Sequence, residues 1–109
     1  MAHVIVDALE EKKGENILLM DIREIADFTD YFIICSGSSD RMLQALADAA
    51  IEKVKSQYGQ RGRIEGLPQD GWLLIDFGDA IVHLFSPDRR NYYRLEDLWA
   101  KGKVILRLQ

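Results

Sequence analysis

The chain has very few residues of the kinds that form covalent or metal cross-links. Among its 109 residues are one cysteine, Cys35, and two histidines, His3 and His83. A single cysteine excludes an internal disulfide and a cysteine-based metal cluster, and no cysteine or aspartate stands at zinc-binding spacing from His83. The sequence therefore predicts no disulfide, no metal and no cofactor.

Long apolar runs are also missing. The longest, Tyr31 to Cys35, has five residues, whereas a membrane-spanning helix needs about 20. Residues 1–11 lack the basic region and apolar core of a secretory signal. Hydrophobic residues make up 48% of the chain and charged residues 29%, as in ordinary globular proteins. We therefore expect residues 1–109 to form one soluble, cytoplasmic domain.

Positive charge is scarce over most of the chain. Residues 1–85 carry 8 basic and 15 acidic side chains, a balance of −7, and residues 86–109 have a balance of +3. An acidic protein gains little from counterion release on nucleic acid, so we expect little or no direct binding to it. An acidic body favours a basic protein partner, although the charge could also serve solubility alone. The side chains that could still touch a phosphate are Arg89, Arg90, Arg94, Lys101 and Lys103.

The residues that are present alternate between helical and extended patterns. Helical periodicity predicts a first helix over residues 3–13, ended by Gly14, and a second over about 40–58, capped by Ser38 or Ser39. A third, aromatic helix is predicted to end near Gly102. Extended patterns predict strands over residues 17–22, 31–35, 63–66, the two runs that flank Phe77-Gly78-Asp79, and 104–108 if that end is not a tail. This order predicts an α/β fold with a mixed sheet of about five strands and a parallel pair around the second helix.

Aromatic residues are concentrated late in the chain. Six of them lie within 28 residues: Trp72, Phe77, Phe85, Tyr92, Tyr93 and Trp99. Large aromatic side chains either fill cores or anchor protein interfaces. Trp72 and Phe77 are five residues apart on one strand and nominally face opposite ways, so at least one is a candidate exposed anchor. Helical spacing instead predicts core positions for Tyr93, Leu95, Leu98 and Trp99.

The two residues most often found in catalysis, His83 and Cys35, lie inside apolar strands. A catalytic histidine needs a cleft and a partner, and a nucleophilic thiol needs an activating base. Neither is evident in the sequence. We therefore interpret His83 as a structural or interface residue and Cys35 as a buried thiol.

Several ordered motifs resemble the ribosomal silencing factor (Iojap) family. They are Thr29-Asp30, Ser36-Gly37-Ser38-Ser39, the run from Trp72 to Phe85, and the run from Arg90 to Trp99. The resemblance covers about residues 21–99. It implies a protein that is not an enzyme, binds the fourteenth protein of the large ribosomal subunit, blocks joining of the small subunit and so represses translation. A role in biogenesis of the large subunit is also implied.

The same resemblance implies a partner surface around the strand pair that follows Gly71. Trp72, Phe77, Asp79 and Phe85 match its positions, and Asp30 is a further candidate. In the family these apolar and acidic side chains meet a basic face of the ribosomal protein. The apolar strand surface could also pair two copies of the chain, so a homodimer of the free protein stays an open alternative.

A magnesium-dependent nucleotidyltransferase is the alternative function, because the family fold resembles that of those enzymes. Asp76 and Asp79 would then hold Mg²⁺, and Gly37 and Ser38 would sit at a triphosphate. The chain lacks the Asp-x-Asp pair that such enzymes place on the strand after the helix. This favours reading Asp76 and Asp79 as turn residues, and Gly37 to Ser39 as a helix cap.

Overall fold

Six strands form one mixed sheet in this computed structural model, which describes residues 1–93 and 102–108, except for the side chains of 91–93. In chain order the strands are β1 (Glu15–Asp21), β2 (Tyr31–Ser36), β3 (Arg63–Leu67), β4 (Trp72–Asp76), β5 (Ala80–Phe85) and β6 (Lys103–Leu108). Their order across the sheet is β3-β4-β5-β2-β1-β6. The α/β class and the mixed sheet are confirmed, with six strands where the sequence predicts about five.

Three α-helices accompany the sheet in the described part of the chain: α1 (Ala2–Glu11), α2 (Asp40–Tyr58) and α3 (Pro87–Tyr93), and a short 3-10 helix spans Pro68–Asp70. Ser39 caps α2, because its Oγ accepts a hydrogen bond from the Met42 amide at 3.1 Å. The predicted continuation of the aromatic helix, with Leu95, Leu98 and Trp99 in the core, lies outside the described residues, as does the side chain of Tyr93. None of the described helices is long and apolar enough to cross a membrane.

The predicted parallel pair is present, but the neighbour of β2 is not the strand that directly follows α2. β2 runs parallel to β5, with Phe32 opposite Ile81 and Ile34 opposite His83. After α2 the chain instead enters an antiparallel meander, β3-β4-β5, whose last strand returns to β2. The sequence predicts that a parallel crossover follows β2. Which later strand pairs with β2 depends on long-range pairing, and that strand is β5.

Both faces of the sheet are packed. α1 and α2 cover one face, where they bury alternate strand residues such as Leu19, Ile33 and Val82 in the main core. The opposite face, called the far face here, buries a second cluster: Leu18, Met20, Ile22, Phe32, Ile34 and Phe85. Because both faces are apolar, Ile17 to Met20 are buried in sequence without the alternation of a half-exposed strand.

The end of α1 shows why Gly14 stands where it does. The helix ends at Glu11, close to the predicted stop, but the left-handed backbone conformation belongs to Lys13, with φ 66°. A Cβ added to Gly14 would lie 2.5 Å from Cys35 Sγ and 3.1 Å from the Leu9 carbonyl oxygen. Gly14 therefore allows close packing of the chain against β2.

Cys35 is expected to be chemically inert in the folded protein. The side chain is 0% exposed, and burial raises the pKa of its thiol to about 12. Since the thiolate is the reactive form, an aromatic disulfide reagent at pH 8 should label Cys35 only as fast as the protein unfolds. Labelling should become immediate in denaturant. Immediate labelling without denaturant would contradict this burial.

Candidate partner-binding site

The turn between β4 and β5 is a rigid hairpin end. Gly78 supplies the positive φ of 88° that the turn needs. The Asp76 carboxylate accepts a hydrogen bond from the Gly78 amide at 2.8 Å, and the Phe77 amide donates to the Ala80 carbonyl at 2.9 Å. These bonds confirm the predicted hairpin. They also fix the backbone conformation of the turn that contains Asp79.

Asp30 and Asp79 are brought together at this end of the sheet. The amides of Asp30 and Tyr31 both donate to the Asp79 carbonyl oxygen at 3.1 Å. The buried hydroxyl of Thr29 donates to the Gly78 carbonyl at 2.8 Å. Forty-nine positions separate these last two residues in the chain, so only the fold joins them. The side chains of Asp30 and Asp79 remain exposed.

Trp72 lies at the other end of the strand pair. It is opposite Phe85 on β5, and the two rings stack at 5.8 Å between centroids with an interplanar angle of 7°. The indole N–H donates to His83 Nδ1 at 3.4 Å. Four residues separate Trp72 from Asp76, which is about 13 Å along an extended strand. The predicted partner residues therefore form two groups, an aromatic group at Trp72 and an acidic group at Asp30 and Asp79.

Phe77 and Phe85, two of the predicted partner residues, are buried in this structure. Each side chain is only 1% exposed, so neither is presented to a partner. Phe77 belongs to the core under the helices and packs over Gly62, where an added Cβ would lie 2.5 Å from its ring. Phe85 is buried behind Trp72 on the far face. Trp72 itself is half-buried, which agrees with the expectation that Trp72 and Phe77 face opposite ways.

His83 is a neutral residue of the interior. It is 5% exposed, and burial lowers its pKa to about 4. Its ring stacks with Trp72 and Phe85 and meets Phe32 edge-on at 5.0 Å between centroids. Since Nδ1 accepts from Trp72, the proton of the neutral ring lies on Nε2, which is buried and has no hydrogen-bond partner among the described residues. His83 thus supports the orientation of Trp72.

Of the two aspartates considered for metal binding, only Asp76 uses its carboxylate within the turn. Asp76 accepts from the Gly78 amide and lies 3.6 Å from the Arg63 guanidinium. The Asp79 carbonyl oxygen, rather than its carboxylate, joins the neighbouring loop. Over the described residues, no three side chains of His, Cys, Asp or Glu are grouped to hold a metal ion. The geometry favours the turn interpretation of both residues.

Two residues with clear structural or surface roles are not identified by the sequence. Arg90, considered there as a phosphate contact, is 8% exposed. Its guanidinium donates to Ser36 Oγ at 3.0 Å and to the Asn16 carbonyl oxygen, which ties α3 to β1 and β2. Leu67 is 52% exposed directly opposite Trp72. Its position one residue past the predicted strand hid this pairing, and alternation gives no signal for it, because Leu67 shares its strand face with the charged Arg63 and Glu65.

The fold and the site define a small α/β protein with a surface suited to binding another macromolecule: a half-buried tryptophan, an exposed leucine beside it and an acidic edge. The family described as "Ribosomal silencing factor during starvation" matches residues 1–109. The chain belongs to this family of ribosomal silencing factors.

Individual relatives agree with this assignment. "Ribosomal silencing factor RsfS" of Bacillus subtilis is 41% identical over 101 residues, which are 89% of this chain and 82% of that protein. A crystal structure of a Chromobacterium violaceum protein superimposes with a TM-score of 0.86 at 33% identity, over 91% of this chain and 82% of that one. "Mitochondrial assembly of ribosomal large subunit protein 1" of Mus musculus is 33% identical over 99 residues, 88% of this chain but 43% of that protein.

Proposed function

We propose that this protein binds the large ribosomal subunit through a basic ribosomal protein and prevents the small subunit from joining. Membership of the silencing-factor family supports a role at the ribosome, and the name of the mouse relative points to the large subunit. The observation that carries the proposal is the placement of Trp72, half-buried and backed by buried rings, beside the exposed Leu67. Partly exposed aromatic anchors of this kind commonly dominate protein interfaces.

The charge of the molecule supports a protein partner rather than RNA. The net charge is −4, and the Asp30 and Asp79 side chains are exposed at one end of the same strand pair. Such carboxylates attract a basic surface and repel phosphates. The partner that fits best is the fourteenth protein of the large subunit, to which the family resemblance points, with little or no direct contact with RNA.

The mechanism is steric and requires no chemical step or cofactor. The molecule extends 34 × 34 × 23 Å, whereas contacts between subunits form at hydrogen-bond distances of about 3 Å. A body of this size on the joining surface would keep the two subunits apart. The protein would act where ribosomes work, in the cytoplasm, and repress translation by occupying free large subunits. A homodimer of the free protein is compatible with this proposal.

The experiment that tests the proposed function is co-sedimentation with purified subunits, followed by a joining assay. We expect the protein to pellet with large subunits and not with small ones. Light scattering should then show that large subunits preincubated with the protein no longer join small subunits. Equal pelleting with both subunits, or binding without any loss of joining, would contradict the proposal.

A further inference from the structure

A row of aromatic rings crosses the far face and includes an exposed phenylalanine, Phe28. Trp72 stacks on His83, His83 meets Phe32 edge-on at 5.0 Å, and Phe32 contacts Phe28 at 6.0 Å between centroids. The two inner rings are buried, at 5% exposure for His83 and 4% for Phe32. The outer rings differ, since Trp72 is half-buried and Phe28 is 55% exposed.

Phe28 lies in a well-ordered connection rather than in a loose loop. The connection between β1 and β2 is closed by a hydrogen bond from the Ile22 amide to the Asp30 carbonyl at 3.0 Å. The Ala26 amide donates to the Ile22 carbonyl at 2.9 Å, and the buried Thr29 is bound to the β4–β5 turn. An exposed ring on a hydrogen-bonded connection costs little backbone entropy when a partner covers it.

Three aspartates lie close to Phe28 in the chain or at the neighbouring β4–β5 turn. Asp27, Asp30 and Asp79 are exposed, and within the described part of the chain none of them forms an ion pair. The cation of the connection, Arg23, pairs with Asp21 at 2.7 Å and interacts more weakly with Asp30. An apolar anchor beside exposed carboxylates is complementary to an apolar contact within a basic protein surface.

We propose that Phe28 is a second anchor of the docking surface, which reaches from Trp72 past the buried rings of His83 and Phe32 to Phe28 and receives a basic protein surface at its acidic Phe28 end. The inference rests on the proposed function. It enlarges the proposed contact area, which then includes Phe28 as well as Trp72. Asp27 belongs to the same contact area, together with Asp30 and Asp79.

Four variants test this second anchor against purified large subunits. Phe28→Ala should weaken binding about tenfold, as a typical interface anchor does. Phe28→Lys should weaken it further, because it places a positive charge against a basic surface. The matched controls are Tyr58→Ala and Tyr58→Lys, at an aromatic ring 47% exposed at the end of α2. Both controls should bind within about twofold of the original protein, inside the usual range for surface substitutions.

A charge series tests the nature of the occupant. The triple variant Asp27→Asn, Asp30→Asn, Asp79→Asn keeps every backbone bond of the turn. It should associate more slowly at low salt, with a flatter dependence on salt concentration. The control removes three exposed charges from α1 instead: Asp7→Asn, Glu10→Gln, Glu11→Gln. It should associate like the original protein.

The outcomes separate this proposal from the function on which it rests. If Trp72→Ala weakens binding while both Phe28 variants bind like the original protein, the second anchor is wrong and the function stands. If the original protein does not bind large subunits, the proposed function fails and this inference fails with it. If the triple variant binds more tightly, the acidic end faces RNA, and the basic protein occupant is wrong.

Discussion

Replacing Trp72 by alanine is expected to weaken binding to large ribosomal subunits by roughly 2 kcal/mol or more, about thirtyfold. The indole is half-buried against Phe85, with its N–H bound to His83, so its orientation is set before any partner arrives. A preorganised aromatic anchor loses little side-chain entropy on binding. Its removal also leaves Leu67 without its neighbour on the far face.

The measurement is a binding isotherm with purified large subunits, followed by the joining assay at the same protein concentrations. Trp72→Phe keeps a ring on the buried support and removes the N–H, so it should fall between the original protein and Trp72→Ala. Tyr58→Ala serves as the matched aromatic control on α2. Unaltered binding of Trp72→Ala, with its fold intact by circular dichroism, would mean that the docking surface lies elsewhere.

Lowering the pH from 7 to 4 is expected to remove about 3 kcal/mol of folding stability through His83 alone. The pKa of His83 is lowered from 6.5 to about 4 because the ring is buried among Trp72, Phe32 and Phe85. Between these two values the unfolded chain binds the proton and the folded chain does not, so acid favours unfolding. The contribution is fully present above pH 6.5 and is lost progressively as the pH falls to 4.

Urea unfolding at half-unit steps between pH 7 and pH 4 measures this loss. His83→Gln, which does not titrate, should have a nearly level stability profile over the same interval. Asp21, whose pKa is lowered to about 2 by Arg23, affects the profile mainly below pH 4 and does not obscure it. Parallel profiles for the original protein and His83→Gln would show that His83 does not carry the dependence.

Much of the fold is predictable because its signals are local. The apolar stripe of α2, namely Leu43, Leu46, Ala47, Ala50 and Val54, is buried as its helical spacing predicts. Ser39 caps that helix, and Gly78 forms the hairpin turn. Each of these features depends on residues a few positions apart, so composition and spacing are sufficient to find them.

The candidate site is less predictable because it depends on burial and on strand neighbours. Phe77 and Phe85 carry the same aromatic signal as Trp72, yet each is 1% exposed and contributes support rather than surface. The sequence gives no signal for Phe28, because this residue lies far from the cluster of aromatic residues at 72–99. Its link to Trp72 passes through Phe32 and His83, which are adjacent only because β2 pairs with β5.

The sequence by itself determined the family, the helices and strands, the α/β class and the acidic character of the protein, since these follow from local periodicity, ordered motifs and composition. The tertiary structure alone decided which aromatic residues reach the surface, that Asp30 and Asp79 are neighbours, and that the Arg90 side chain of α3 is buried against the sheet. Those properties depend on contacts between residues distant in the chain. Such contacts form only when the strands have paired and both faces of the sheet are packed.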